Sequence, residues 1–290
     1  MIVTCDDSGW GKPGCDGMAQ AKSRYGVEVT ISERITMADA KATMIDYATR
    51  GYDLIIGHGQ VYSAPAVEIA AQFPNTTFAM YYGGHSAANV VSIDPKEHEL
   101  AYLAGVIAGS MTKTGKIGYV GGAVIPAVVR HLKGFEQGIQ SVRPDGKVLS
   151  VLDAGWDNPQ IGKEAAEAMI KSGADIFFSG ASAPGEGMIK AAAEHGLYSM
   201  GYATCQDFLA PKYVLTSTLN GIPETMEWIV KSYLEGSLKG GMVRPGLKDG
   251  IFSMCPYNDA VPKEVRDKVE KAKQDIIDGK IGRASCRERV

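Results

Sequence analysis

The residues able to do chemistry gather in short polar loops, each following a run of apolar residues. The first loop is Asp6-Asp7-Ser8-Gly9-Trp10-Gly11, two carboxylates, a hydroxyl and an indole set among glycines. Trp10 reads as a stacking platform for a flat ligand, with Asp7 or Ser8 bonding the ligand's edge. The competing reading is a Trp packed on the following helix and an Asp that caps it. Gly57-His58-Gly59-Gln60 places an imidazole and an amide beside glycines that let a backbone approach a ligand closely. It reads equally as a turn whose polar groups meet only water. Tyr81-Tyr82-Gly83-Gly84-His85 is a third such loop, its rings of second rank.

In the second half, Asp153-Ala154-Gly155-Trp156-Asp157-Asn158 supplies another indole, and Ser179-Gly180-Ala181-Ser182 offers small residues and the Ser182 hydroxyl. Tyr202 and Asn220 close two further runs. Trp10 and Trp156 would clamp a planar ring between them; the alternative is that Trp156 packs inside its own lobe. The candidate ligand-binding set is therefore Asp7, Ser8, Trp10, His58, Gln60, Trp156, Ser182, Tyr202 and Asn220.

Nothing in these loops reads as catalysis. Ser182 is not in a Gly-x-Ser-x-Gly elbow, and no His and Asp are placed by sequence to complete a triad. Asp6 and Asp7 are adjacent, so on a strand end they point opposite ways. His98, His131 and His195 fall within helices. Gly121-Gly122 opens no phosphate loop, because the Gly-x-x-x-x-Gly-Lys-Ser/Thr pattern is missing. The five cysteines form no Cys-x-x-Cys pair and have no His at zinc-ligand spacing. Neither a metal nor a cofactor is expected, and the low cysteine density argues against a disulfide scaffold.

The elements that must position these loops alternate. Strands are expected at Ile2–Cys5, Val27–Ile31, Asp53–Gly57, Thr77–Tyr81 and Val90–Ile93, with helices between them and a long helix from Lys96 to Met111. After the turn Lys113-Thr114-Gly115 the pattern restarts with strands at Lys116–Val120, Lys147–Leu152, Asp175–Ser179, Tyr198–Tyr202 and Val214–Leu219. A helix at Pro223–Glu235 carries Met226, Ile229, Val230 and Leu234 on one face. This order implies parallel sheets with helices on both faces. The chain's 290 residues suit two lobes of about 100–150 residues each. One lobe is expected from residues 1–115 plus about 220–245, the other from 116–219 plus about 246–280. In open parallel sheets a ligand lies beyond the carboxyl ends of the strands, which places the expected site in the cleft between lobes.

A net charge of −3 points to no nucleic-acid partner, and no run approaches the roughly 20 apolar residues of a membrane span. The last ten residues, 281–290 (IGRASCRERV), differ abruptly in composition from the helix before them and read as an adapter-derived, non-native tail. No secretory leader precedes Met1, which is read as truncation.

Several stretches in order carry a resemblance: Gly51-Tyr52-Asp53-Leu54-Ile55-Ile56, Tyr102-Leu103-Ala104-Gly105, Lys113 to Gly122, Ile125-Pro126, Gly134-Phe135, Ser141-Val142-Arg143-Pro144, Ser172-Gly173-Ala174-Asp175, Leu215-Thr216-Ser217 and Gly246 to Gly250. From Thr4 to about Lys280 the chain resembles the basic membrane protein family of ABC-transporter solute-binding lipoproteins, receptors for purines and nucleosides. The resemblance implies the type I periplasmic-binding fold, two doubly wound parallel lobes with a hinge. It also implies a base stacked between aromatics, an ABC-transporter permease as partner, and an extracytoplasmic, lipid-anchored location. Trp10, seven residues before Gly17, fits the family's stacking position, but Gly11 stands where an Asn is usual. Nucleoside-binding members hold ribose with an acidic run; here Gly201-Tyr202-Ala203-Thr204-Cys205-Gln206 has lost both acids, and Asn220 replaces a Lys. A ribose left without those partners would lose about 1–3 kcal/mol per unpaired hydroxyl, which favours a free nucleobase. The expected function is capture of a small purine-like solute, with lobe closure over it. The alternative is the ligand-sensing domain of a regulator with the same fold.

Overall fold

The computed structural model describes residues 1, 3–6 and 10–281. Asp7 and Ser8, two of the expected ligand residues, and the tail from residue 282 onward lie outside the described residues. In chain order the first segment carries α1 (Gly11–Tyr25), α2 (Met37–Thr49), β1 (Leu54–His58), α3 (Ser63–Ala70), β2 (Thr77–Tyr81) and β3 (Val90–Ile93). The middle segment carries α4 (Glu97–Met111), β4 (Lys116–Gly121), α5 (Pro126–Val142), β5 (Lys147–Val151), α6 (Pro159–Lys171), β6 (Ile176–Gly180), α7 (Ala183–Glu194), β7 (Tyr198–Tyr202) and β8 (Val214–Leu219). There follow α8 (Ile222–Leu234), β9 (Gly241–Val243), β10 (Ser253–Met254) and α9 (Lys263–Ile277).

The chain forms two compact units, Met1–Lys96 with Gly221–Pro245, and Glu97–Asn220 with Gly246–Val290. In the first unit the strands run parallel in the order β1-β2-β3-β9. Strand alternation divides the core. Ile55, Phe78, Met80 and Val90 pack with Ala40, Met44 and Ile69 of α2 and α3, whereas Ala79, Tyr81, Val91 and Ile93 pack with Ile222, Met226 and Ile229 of α8. Leu234, expected on that same face of α8, is exposed because it lies in the final turn of the helix. Thr36 starts α2, its hydroxyl accepting from the Asp39 amide at 3.3 Å. Close to α8, Gly17 of α1 sits where a Cβ would lie 2.6 Å from the Pro223 carbonyl oxygen.

Two expected strands are absent from this sheet. The described residues of Ile2–Cys5 and those of Val27–Ile31 adopt no strand. The Met1 amino group donates to the Ser32 carbonyl at 2.8 Å, and the Ile35 and Arg34 amides donate to the carbonyls of Met1 and Val3. The N-terminal residues thus spend their backbone bonds on residues 32–35 rather than on β1. A cavity of about 740 Å³ runs between residues 27–32 and 53–58, with Met44, Met226 and Val230 among its walls.

The second unit has the order β10-β8-β7-β6-β4-β5, all parallel except β10, which runs antiparallel to β8. Residues 97–115 were expected in the first lobe; α4 lies instead in the second unit. The reason is an interface built on absent side chains. A Cβ on Gly105 would lie 2.2 Å from the Phe135 carbonyl oxygen, one on Gly134 2.2 Å from that of His98, and one on Gly138 2.0 Å from that of Tyr102. Backbone therefore meets backbone between α4 and α5, and α4 is buried nearly all round. Asp175 accepts from the Thr112 hydroxyl and from the amides of Lys113 and Thr114, fixing the turn that leaves α4.

The cysteines overturn one expectation. Cys5 is bonded to Cys15, and Cys205 to Cys255, with Cα atoms 5.9 Å and 5.7 Å apart. The second pair is 50 residues apart in sequence and meets because β10 pairs with β8, so its spacing carried no local signal. The first unit and the second each contain one crosslink.

Candidate functional site

In the first unit two of the three polar loops follow the carboxyl ends of parallel strands, β1 and β2, and the side chains at those ends converge on the indole of Trp10. Trp10 stands just before α1, half-buried. His58, the last residue of β1, stacks on it with ring centroids 4.5 Å apart. Tyr81, the last residue of β2, stacks on it at 5.5 Å, and Tyr82 lies tilted at 5.6 Å. The His58 Nε2 is 3.0 Å from the Trp10 carbonyl oxygen, and its ring lies against Gly14, where a Cβ would approach Nε2 to 3.1 Å. Gln60 is exposed, its amide nitrogen near Gly84. Ser63 joins the loops after β1 and β2, contacting the His85 Nδ1 at 3.1 Å and accepting from the Gly84 amide at 3.1 Å.

The two tyrosines, ranked second in the sequence, are thus part of the Trp10 cluster. Their signal was available: an aromatic doublet at a strand end, directly before glycines. Tyr82 has a left-handed backbone, φ 55°. For a residue with a Cβ this costs about 1–2 kcal/mol, and such positions concentrate at ligand sites, where surrounding structure holds them.

In the second unit the candidates are more dispersed. Trp156 is 41% exposed and lies over Gly122, where any Cβ would come within 2.6 Å of its ring. It shields the strand end of β4 while presenting much of its indole to solvent. Ser182 is exposed just before α7 and caps none of its amides. Asn220 is buried at the end of β8. Tyr202, the last residue of β7, donates its hydroxyl to Glu97 Oε2 at 2.9 Å. Ala203, next in the chain, repeats the left-handed backbone of Tyr82, with φ 68°.

The loop after β7 is held from inside. Gln206 is buried; its Oε1 accepts from the Tyr202 amide and its own amide donates to the Ser217 hydroxyl, both at 3.0 Å. Between them, Cys205 is tied to Cys255. No residue from 201 to 206 supplies a carboxylate.

Tyr202 also leads to a buried polar pair, His131 with Tyr119, of which the sequence placed one member in a helix and the other in a strand without linking them. His131 of α5 meets the edge of Tyr202 with centroids 5.4 Å apart and stacks on Phe178 at 5.2 Å. Its Nδ1 is 2.8 Å from the Tyr119 hydroxyl, and its Nε2 has no hydrogen-bond partner among the described residues. Burial first, and the nearby His98 second, push its pKa down to about 3. Burial likewise pushes the Tyr119 phenol up, reinforced by Glu97. Gly180 makes room for this pair: a Cβ there would sit 2.4 Å from the Tyr119 hydroxyl.

No group of three or more His, Cys, Asp or Glu able to hold a metal is present among the described residues. What the strand ends offer is stacking surface and hydrogen-bonding groups.

A family model described as ABC transporter substrate-binding protein, PnrA-like, matches residues 3–283. The chain belongs to that family. A purine-binding protein of Brucella abortus is 30% identical over 262 residues, covering 88% of this chain and 72% of the relative. In structure, this family member resembles a transcriptional activator of the comK gene from Bacillus halodurans, with TM-score 0.84, 24% identity, and 93% and 95% of the two chains covered. It also resembles an ABC-transporter solute-binding protein from Aeropyrum pernix, with TM-score 0.78, 23% identity, and 99% and 92% covered. These likenesses show the type I solute-binding fold with parallel α/β sheets. The family is one of solute receptors serving ABC transporters rather than of enzymes. Among the described residues no helix is long and apolar enough to cross a membrane.

Proposed function

We infer that this substrate-binding protein captures a purine nucleobase and delivers it to an ABC-transporter permease, as a receptor outside the cytoplasmic membrane. The observation that carries the reading is the aromatic cluster of Trp10, His58, Tyr81 and Tyr82 at the strand ends of the first unit. A flat heterocycle gains from stacking on an indole, and ring-edge nitrogens find partners in an imidazole and an amide such as His58 and Gln60. Asp7, Ser8, Trp156, Ser182, Tyr202 and Asn220 complete the proposed ligand set. The purine-binding relative from Brucella abortus supports the ligand class.

The loop after β7 favours a base over its nucleoside. A ribose presents neighbouring hydroxyls that call for charged or bidentate acceptors, and residues 201–206 have none to give. The Gln206 carbonyl oxygen in that loop is already used by the Tyr202 amide.

A thermal-shift screen against adenine, hypoxanthine, guanine, their nucleosides, sugars and amino acids tests this directly. A ligand at about 100 times its dissociation constant adds about 2.7 kcal/mol of stability. Stabilisation by a base and not by its nucleoside is the expected result. Stabilisation by sugars or amino acids alone would refute the purine reading.

A second reading, a ligand-sensing domain of a regulator, draws on the likeness to the Bacillus halodurans activator. Loss of adenine uptake in cells deleted for the gene supports the receptor, and unchanged uptake with altered transcription supports the sensor.

A further inference from the structure

The cavity of about 740 Å³ in the first unit has the walls of a buried strand position. On one edge stands β1, the outermost strand of its sheet. The Asp53 carbonyl accepts from the Thr77 amide at 2.8 Å, so Asp53, Ile55 and Gly57 turn their backbone groups toward β2. Leu54 and Ile56 turn theirs the other way, into the cavity. On the opposite edge run residues 27–32. Val27 and Val29 are half-buried while Glu28 and Thr30 are exposed, the period of two of an extended strand. Among the described residues no backbone hydrogen bond reaches residues 27–31. Side chains hold the segment in place: the Thr30 hydroxyl meets that of Tyr52, and the Ser32 hydroxyl that of Tyr47, both at 2.5 Å. One face of the cavity is closed by Met44 and Tyr47 of α2, the other by Met18 of α1 with Met226 and Val230 of α8.

We propose that this cavity is a β-strand binding site: it takes an extended apolar peptide, joined to the Met1 nitrogen, as a parallel strand between β1 and residues 27–32.

The dimensions fit. A residue in a sheet covered on both faces occupies about 160 Å³, from a rise of about 3.3 Å, a strand spacing of about 4.8 Å and about 10 Å between layers. The cavity therefore holds about five residues. Met1 fixes the direction. Its nitrogen donates to the Ser32 carbonyl at 2.8 Å and its carbonyl accepts from the Ile35 amide at 2.9 Å. Bonds to two different residues, the acceptor earlier in the chain than the donor, are the pattern of a parallel ladder. A peptide joined to Met1 would thus run back along residues 31 to 27. Burial pushes the pKa of the Met1 amino group down, against the opposing pull of Glu33, and a peptide amide in its place has no charge to bury.

The unpaired edges decide the class of occupant. A hydrocarbon could fill the same space but would leave the backbone groups of Leu54, Ile56 and residues 27–31 without partners. A peptide strand satisfies both edges at once. With apolar side chains on both faces, it should be apolar at consecutive positions, as Leu54-Ile55-Ile56 is.

The test adds one to eight residues of a Val-Ile repeat before Met1 of the full chain, led by two lysines for solubility. Monomer is isolated by gel filtration, and its melting temperature and amide hydrogen exchange are measured. The melting temperature should climb with each residue, by about 5 °C or more in all, and level off near five residues. Exchange at Leu54, Ile56 and residues 27–31 should slow about tenfold or more. A Val-Pro repeat of the same length cannot donate at alternate positions and should give neither effect. Equal gains from the two repeats, or unchanged exchange at Leu54 and Ile56, would overturn the assignment. So would uptake of palmitate by the unextended chain that no extension displaces, which would make the cavity an acyl site.

Discussion

The imidazole of His58 lies in stacking contact with the indole of Trp10, 4.5 Å between centroids, while its Nε2 meets the carbonyl of the same residue at 3.0 Å. One side chain thereby fixes both the ring and the backbone of its partner. Because His58 ends β1, the orientation of the indole is set by the sheet, although Trp10 itself belongs to a loop.

Trp10→Ala should weaken binding of the cognate base by about 1–3 kcal/mol, the range for a base stacked on an aromatic residue. Trp10→Phe should keep most of the affinity. Titration calorimetry with adenine measures both, and an unchanged affinity in the alanine variant would remove Trp10 from the site.

His58→Ala should act through Trp10. The ring loses its stacked neighbour and the Gly14 contact opens, so Trp10 fluorescence should shift to longer wavelength even without ligand. If the emission spectrum is unaltered, His58 does not set the indole's orientation.

Stability should depend on pH through His131. Its folded pKa of about 3 lies below the usual value near 6.5, so below pH 6.5 the unfolded chain binds a proton that the folded chain refuses. Stability is then fully present above pH 6.5 and falls as pH drops from there toward 3. Between pH 7 and pH 5 this amounts to about 2 kcal/mol at 1.36 kcal/mol per pH unit below 6.5. Urea titrations at the two pH values should show that loss in the wild type and a smaller one in His131→Phe.

Gly138→Ala should cost about 1–3 kcal/mol, as overpacking does in a closed interface. The new methyl would fall 2.0 Å from the Tyr102 carbonyl oxygen, so α4 and α5 must separate. Chemical denaturation reads the loss directly. A neutral result would mean the helices can slide apart without penalty.

Tyr202→Phe removes the hydroxyl that donates to Glu97. A hydrogen bond to a charged group contributes about 1.5–3 kcal/mol, and the loss should appear as a lower denaturation midpoint with an unchanged denaturant slope.

Much of the architecture was legible in the sequence because its signals are local. Short apolar runs such as Asp53–Gly57 and Thr77–Tyr81, each followed by Gly and polar residues, marked the strand ends where His58 and Tyr81 now stand. The place of α4 was not legible, since its membership depends on glycines at 105, 134 and 138 that matter only once two helices meet. The expected strand at Val27–Ile31 had the right alternation, yet strand character requires a neighbour, and residues 32–35 bond to the N-terminus instead. The His131–Tyr119 pair was hidden for a similar reason: a histidine on an apolar helix face gives no hint that a glycine at 180 leaves space for its partner. Sites that depend on one side chain at a strand end can be read from sequence; sites that depend on a missing side chain elsewhere cannot.

The first unit is assembled from two separated stretches of chain, residues 1–96 and 221–245. Its sheet is closed at one side by β9 and one face is covered by α8, both from the later stretch. During synthesis, Gly17 of α1 must wait for Pro223, and the apolar row of Ala79, Tyr81, Val91 and Ile93 stays uncovered until α8 has left the ribosome. Non-local closure of this kind slows folding and prolongs exposure of sticky surface. The polypeptide should therefore depend on a holding chaperone in the cell, and a nascent chain stopped after residue 220 should bind one more strongly than a chain stopped after residue 245.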